Sequence, residues 1–429
     1  MRSNNLSVGL TVVLTALTAA LLVIGTRAAA QETVLHSFSS SNPKFGDLPL
    51  AGLIFDGAGN LYGTTNAGGA YSWGAVFELT PKVGGGWTEK VLHSFNYNNK
   101  DGANPSAGLI FDAAGNLYGT TAYGGTGACT NGVNMVGCGT VFELTPQAGG
   151  GWKEKVLHNF RGKEGAYSDA ALIFDAAGNL YGTTFSGGAG TCTSKSRTLY
   201  GCGTVFELTP ATGGSWTATV LYSFKNDGID GIYPYANVIF DAAGNLYGTT
   251  YLGGASAGGT VFELMPVAGG GWTENVLRNF SVTGADGYEL WAGLILDAAG
   301  NLYGVTSQAG AYGGGAAFEL TPSTGGSWTE TRLYSFGNGT DGRNPFGGLV
   351  FDAAGNLYGT TASSGANLGG TAFELTPVTG GGWTERVLYN FENGANSAAG
   401  LVFDTAGNLY GTTSRGGATK GGTVFEITP

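Results

Sequence analysis

The chain has 429 residues, 80 of them glycine, and only 11 % are charged against roughly 25 % in an average globular protein. Aromatic residues at 12 % argue against low-complexity disorder, and glycines that do not recur at every third residue exclude collagen. Taking Arg2 and Arg27 from the 19 basic residues leaves 17 against 30 acidic, a net charge of −13 that argues against nucleic acid and anionic lipid as partners. What remains is a large, apolar, turn-rich β protein.

Residues 1–30 read as a secretory signal peptide: Arg2, an apolar stretch from about Val8 to Gly25, then Ala28, Ala29 and Ala30 as the cleavage site. The alternative is an uncleaved membrane anchor, since the apolar stretch is nearly long enough to span a bilayer. Cleavage would start the mature chain at Gln31. After it, no second apolar run reaches spanning length, so no membrane span is expected.

Self-similarity organises the rest. The string GLIFDAAGNLYGTT or a close variant occurs seven times, with its aspartate at Asp56, Asp112, Asp175, Asp241, Asp297, Asp352 and Asp404. GTVFELTP or a variant follows each, with its glutamate at Glu78, Glu143, Glu207, Glu263, Glu319, Glu374 and Glu426. A third string, typified by GGGWTEKVLHSF, appears six times in full, and the last part of a seventh copy stands at the other end of the chain, from Glu32 to Phe38. Each unit thus holds four short runs rich in Val, Leu, Phe, Tyr and Thr, the signature of strands separated by turns.

Four antiparallel strands per unit make a propeller blade, and the permuted third string predicts that the N-terminal strand completes the last blade. The expected fold is therefore all-β, a seven-bladed β-propeller over residues 31–429 as one domain. An open β-solenoid is the alternative, but it has no reason to split one repeat between the termini. The Asp-x-Ala-Gly-Asn-Leu-Tyr hairpin followed by Gly-Thr-Val-Phe-Glu-Leu resembles the GloVer tandem-repeat family of secreted bacterial proteins over residues 32–429. The resemblance implies export and surface or extracellular display, and brings no established activity or catalytic residues. Members often end in a sorting or anchoring segment, which is not found before Pro429.

Strand order assigns the loops to two faces. The hairpin turns and the Gly-Gly-Gly-Trp turns share one nearly uniform face. Variation falls on the other, where a specific site is expected. There the second-to-third loops of blades 2 and 3 are long and hold Cys129, Cys138, Cys192 and Cys202. Two disulfides, one in each loop, are expected for an exported chain. A shared zinc site is the alternative, though the spacing is not Cys-x-x-Cys.

Twenty acids belong to the repeated strands, and ten remain: Asp47, Asp101, Glu164, Asp169, Asp227, Asp230, Asp286, Glu289, Asp341 and Glu392, all in fourth-to-first connections. The same face holds Tyr71, Trp73, Tyr123, Tyr200, Tyr233, Tyr235, Tyr288, Trp291, Tyr312 and Phe346. Rings beside carboxylates suit sugar recognition, the ring covering apolar C–H faces and the polar groups taking hydroxyls. Packing of the gaps between blade tops is the other reading. The ligand-binding candidates are Trp73, Tyr123, Tyr200, Tyr233, Tyr235, Trp291, Tyr312, Phe346, Asp101, Asp230, Asp286 and Asp341. Asp-Gly pairs such as Asp101-Gly102 and Asp286-Gly287 could help bind Ca²⁺, although turns explain them too; no other cofactor or metal is expected.

Catalytic signals are weak. His36, His93 and His158 share one repeat position, filled elsewhere by Tyr222, Arg278, Tyr334 and Tyr389. The string Gly254-Ala255-Ser256-Ala257-Gly258 mimics a nucleophile elbow but links two strands, with no histidine placed to activate the serine. Among the innermost strands only Asn237 breaks the small, apolar pattern. The expectation is a secreted, monomeric, non-catalytic propeller binding a glycan or surface protein. A polysaccharide-acting hydrolase or lyase using carboxylates such as Asp230 and Asp286, or a structural envelope protein without ligand, are the alternatives.

Overall fold

A computed structural model describes residues 30–41, 43–129, 137–194, 197–198 and 201–429. Of the signal peptide expected at residues 1–30, residues 1–29 lie outside them. Six four-stranded antiparallel sheets and a seventh, in which two short loop strands join the four blade strands, form a seven-bladed β-propeller. In blade 1 the strands are Ile54–Phe55, Leu61–Thr65, Ala75–Pro81 and Trp87–Ser94, from the axis outward. The seventh blade contributes Val402–Phe403, Leu409–Thr413 and Lys420–Thr428, and Gln31–Ser39 pairs antiparallel with the last of these as its outermost strand. The permuted repeat therefore closes the ring, and backbone bonds from Gln31–Ser39 hide the edge of its final strand.

Burial explains the strand sequences. The second strand, LYGTT or, in blade 5, LYGVT, is buried along its whole length in each blade because neighbouring blades cover both faces. The outermost strand alternates, with one side to solvent. The second strand's glycine answers a close approach: a Cβ on Gly63 would stand 2.7 Å from Phe77 Cζ and 2.9 Å from Leu53 Cδ2.

Two further devices join blade to blade. A phenylalanine ending each outermost strand meets a third-strand phenylalanine of the next blade, as Phe38 meets Phe77 (centroids 5.1 Å) and Phe391 meets Phe425 (4.9 Å). Such pairs add about 0.5–1.5 kcal/mol beyond the area they bury. The second-strand threonine also donates to a carbonyl of the following blade, Thr64 to Ala107 (2.9 Å) and, across the closure, Thr412 to Ala51 (3.0 Å).

The hairpin aspartates are structural. Asp56 Oδ1 accepts from the amides of Ala58 and Asn60 (both 2.9 Å), and Oδ2 accepts from Asn60 Nδ2 (2.8 Å). The Tyr62 hydroxyl lies between Asp56 (3.1 Å) and Glu78 (3.0 Å). Burial opposes ionisation of Asp56, but these donors outweigh it and hold the carboxyl below its ordinary range. Repeated aspartates and glutamates are thus committed to one blade geometry.

Candidate functional site

On the variable face, the fourth-to-first connection of each blade passes through a residue in the left-handed region: Leu48, Asn104, Tyr167, Tyr233, Glu289, Asn344 and Asn396, with φ between 54° and 62°. Such a backbone costs about 1–2 kcal/mol for a non-glycine residue and persists because hydrogen bonds on both sides specify it. The amide of Asn104 donates to Trp73 O (2.8 Å), that of Tyr167 to Cys138 O (2.9 Å) and that of Tyr233 to Cys202 O (2.8 Å). Their carbonyls accept from the residue after the second strand, as Tyr167 O does from Phe185 N (2.9 Å) and Tyr233 O from Tyr251 N (3.0 Å).

Two residues beyond each left-handed position, one side chain per blade stands at the channel mouth. Around the ring these are Leu50, Ser106, Asp169, Tyr235, Trp291, Phe346 and Ala398. Below them the channel is lined by Gly52, Gly108, Ala171, Asn237, Gly293, Gly348 and Gly400. The mouth is lopsided: blades 7 and 1 offer Ala398 and Leu50, whereas blades 3 to 6 carry a carboxylate and three large rings.

A cleft of about 530 Å³ opens beside the mouth, lined by Asn104, Ser106, Tyr123, Tyr167, Asp169, Phe185, Tyr235, Tyr251 and Trp291 among others. Its aromatic wall is continuous. Phe185 stacks on Tyr233 (centroids 4.7 Å, interplanar angle 17°) and meets Tyr235 edge-on (5.9 Å). Trp291 touches Tyr235 (4.7 Å), Tyr251 (4.5 Å) and Phe346 (5.7 Å). Across the cleft Tyr123 packs on Tyr167 (5.3 Å).

Asp169 is the single acid among the described residues lining this cleft and the channel mouth. Burial pushes its carboxyl up to about 6, against a hydrogen bond from the Ser106 hydroxyl that favours the charged form. Asn66 Nδ2 in turn donates to Ser106 Oγ (2.9 Å), which orients the serine. The Asp169 charge, then burial, raises the Tyr235 hydroxyl well above its ordinary range, so that phenol stays protonated as a donor. Trp291 Nε1 and Asn104 Oδ1 are buried without a hydrogen-bond partner. The cleft therefore combines ring faces and one carboxylate, and two of its lining side chains hold an unpaired N–H and an unpaired carbonyl oxygen in their buried parts.

The disulfides expected from the sequence are present, Cys129–Cys138 and Cys192–Cys202. They bear on the cleft directly, since the carbonyls of Cys138 and Cys202 hold the left-handed residues Tyr167 and Tyr233. All four sulfurs are used in these bonds, which leaves none for zinc.

Of the sequence candidates, Tyr123, Tyr235, Trp291 and Phe346 come together at the mouth. Tyr233 is buried under Phe185. Trp73 packs on Tyr97 (4.6 Å) outside the cleft, and Tyr71 and Tyr312 are exposed. Tyr288 is half-buried away from the cleft lining, and Tyr200 lies outside the described residues.

The four acidic candidates sit elsewhere, at junctions between blades. Asp101 faces His93 Nε2 (3.2 Å) and accepts from the Asn96 amide (2.8 Å). Asp230 accepts from the hydroxyl of Tyr222 and the amide of Lys225 (both 2.9 Å). Asp341 accepts from the Tyr334 hydroxyl (2.8 Å), and Asp286 pairs with Arg278, which also reaches Glu330 of the next blade (2.8 Å). Asp230 and Asp341 are buried. These four acids are thus held by partners on the outermost strands and do not line the cleft. Sequence reasoning missed Asp169, Tyr167, Phe185 and Tyr251 as site residues. Counting positions back from each innermost repeat, in place of sorting by residue type, would have found Asp169.

The hairpin face carries a groove of about 700 Å³ between blades 6 and 7, lined by Asp352, Asp404 and their turns. Those carboxylates are consumed in the hairpins, so the groove offers nothing specific to one blade. Among the described residues no helix is long and apolar enough to cross a membrane.

No protein of curated function matches the sequence. Solved structures share the fold at low identity. A protein from Bacteroides uniformis provisionally named a 6-phosphogluconolactonase superposes with a TM-score of 0.50 at 13 % identity, covering 82 % of this chain and 88 % of its own. An ulvan lyase of a polysaccharide lyase family superposes with a TM-score of 0.51 at 13 % identity, covering 89 % and 94 %. The sequence itself matches the Gloeobacter/Verrucomicrobia repeat in three overlapping stretches, residues 22–191, 126–325 and 268–429, and the chain belongs to that family.

Proposed function

We propose that the protein is exported and works as a non-catalytic propeller that binds a glycan in the cleft at its channel mouth. The observation that carries this reading is the aromatic wall of Tyr235, Trp291, Tyr251 and Phe346 beside the Asp169 carboxylate and two unpaired polar atoms, Trp291 Nε1 and Asn104 Oδ1. Ring faces cover the C–H surface of a sugar while Asp169, Trp291 Nε1 and Asn104 Oδ1 take hydroxyls. A volume of about 530 Å³ falls within the range of about 300–1,000 Å³ common to small-molecule sites. Export is supported by two disulfides, which persist in oxidising compartments.

Binding without turnover is favoured by the count of acids. Glycoside hydrolysis ordinarily needs two carboxyl groups about 5–9.5 Å apart across the bond that is cut. Among the described residues of the cleft Asp169 stands alone, and Asp230 and Asp286 are held in blade junctions. The fold neighbours named as lactonase and lyase keep an enzymatic reading in view through their shared architecture alone.

The test is a glycan array followed by titration calorimetry on the best ligand. Trp291→Ala is expected to weaken that ligand by about 2 kcal/mol, the scale of a central aromatic anchor, while Trp73→Ala leaves it unchanged. Binding unaffected by Trp291→Ala, or no glycan bound at all, would remove the proposal.

A further inference from the structure

The chemistry of the cleft narrows its ligand, on the assumption that the glycan-binding reading holds. Asp169 is the single charged side chain among the described residues that line the cleft; no lysine, arginine or histidine stands with it. An anionic sugar, a uronate or a sulfate ester, would meet a carboxylate and the negative ends of aromatic faces with nothing to neutralise its charge. A neutral sugar would find rings and hydroxyl partners but would leave the Asp169 charge half-buried and unmatched by any cation.

A cation satisfies the whole arrangement. An ammonium group beside Asp169 gains a charge-assisted hydrogen bond, and the ring faces of Tyr123, Tyr235 and Trp291 attract it through their quadrupoles. The Ser106 hydroxyl, held by Asn66, already keeps one part of the carboxylate oriented. Over a longer range, the net charge of −13 outside the signal segment enriches cations near the mouth.

We propose that the ligand is a glycan carrying free amino groups, a non-acetylated amino sugar whose ammonium pairs with Asp169 inside the aromatic cleft. The ring of the same sugar unit then lies against the face of Trp291.

The experiment compares four oligosaccharides of equal length by calorimetry at pH 7: a β-1,4-linked glucosamine oligomer, its fully N-acetylated form, a glucose oligomer and a galacturonate oligomer. The amino form is expected to bind at least about tenfold more tightly than the acetylated form, a difference of about 1.4 kcal/mol. Asp169→Asn is expected to abolish that preference while leaving the weaker neutral binding in place. Glu392→Gln, which removes an exposed charge elsewhere on the same face, is expected to keep the preference and so reports on non-specific attraction of a polycation. Equal binding of amino and acetylated forms, a preference for the uronate, or a preference that survives Asp169→Asn would overturn the inference while leaving glycan binding intact. Failure of all four oligomers to bind would count against both readings.

Discussion

At the scale of the residue, the same amino acid has opposite meanings at different points of the blade. Gly57, in the first hairpin turn, has nothing within 4 Å of a notional Cβ. Gly63, six positions on, stands against Phe77 and Leu53 at 2.7 and 2.9 Å. Gly63→Ala must push the Phe77 ring out of a packed layer and is expected to cost about 1–3 kcal/mol, the price of overpacking a core. Gly57→Ala is expected to be neutral or slightly stabilising because it restricts the unfolded chain. Urea unfolding of both variants separates the two roles. Acids divide in the same way: Asp56 is spent on its own turn, Asp101 on a blade junction, and Asp169 is aimed into a cleft. Composition and motif counting treat these as equals, because what distinguishes them is the partner, and the partner lies on another strand.

At the scale of the element, the two long loops show how a local feature serves a remote one. Each disulfide closes a short loop, with sequence separations of 9 and 10, and its second cysteine offers its carbonyl to a left-handed tyrosine of the next connection. Replacing Cys129 and Cys138 together by serine is expected to lower stability by about 2.5 kcal/mol on loop-entropy grounds. It is also expected to loosen Tyr167 and Tyr123, so that ligand affinity falls even where the ring remains folded. Calorimetry on the oxidised protein and on the double variant measures both effects. Both pairings were legible in the sequence from cysteines at matching repeat positions. Their bearing on the cleft was not, because the carbonyl-to-amide bonds join one blade's loop to the next blade's connection.

At the scale of the whole molecule, blade junctions carry a ring of buried glutamates from the Trp-Thr-Glu strands. Burial pushes Glu89 up to about 8, and Glu154, Glu274 and Glu385 up to about 7; in the last three, neighbouring aspartates add to the shift. Glu32 and Glu330 are raised for the same first reason. An acid whose folded value is raised takes up protons on folding, so its contribution is complete below about 4.5, its unfolded value, and drains away as pH climbs through 7 to 8. His36 and His158, lowered by burial, act in the reverse sense below 6.5, but two histidines oppose six glutamates. The hairpin carboxyls of Asp56, Asp112, Asp175, Asp297, Asp352 and Asp404, held below 3.8, withdraw stability only in stronger acid. The melting temperature is therefore expected to be highest near pH 5 and to fall by several degrees towards pH 8.5. Glu89→Gln is expected to remove part of that fall, stabilising the protein at pH 8.5 and changing little at pH 5. A flat or rising melting temperature between pH 5 and 8.5 would contradict the assignment of these carboxyls as buried and protonated.

The sequence by itself determined the blade, the number of blades and the way the ring closes. Those features repeat, and each depends on contacts within about 60 residues or on a string visibly divided between the two ends of the chain. It also separated the uniform face from the variable one. Only the tertiary structure decided which variable residues meet. Ser106, Asp169, Tyr235, Trp291 and Phe346 come from five different blades and share no motif, and they become neighbours because the propeller axis brings one equivalent position from every blade to a single rim. The same closure sent Asp101, Asp230, Asp286 and Asp341 outward to the blade junctions, where burial demands a partner for each charge and the outermost strands supply His93, Tyr222, Arg278 and Tyr334.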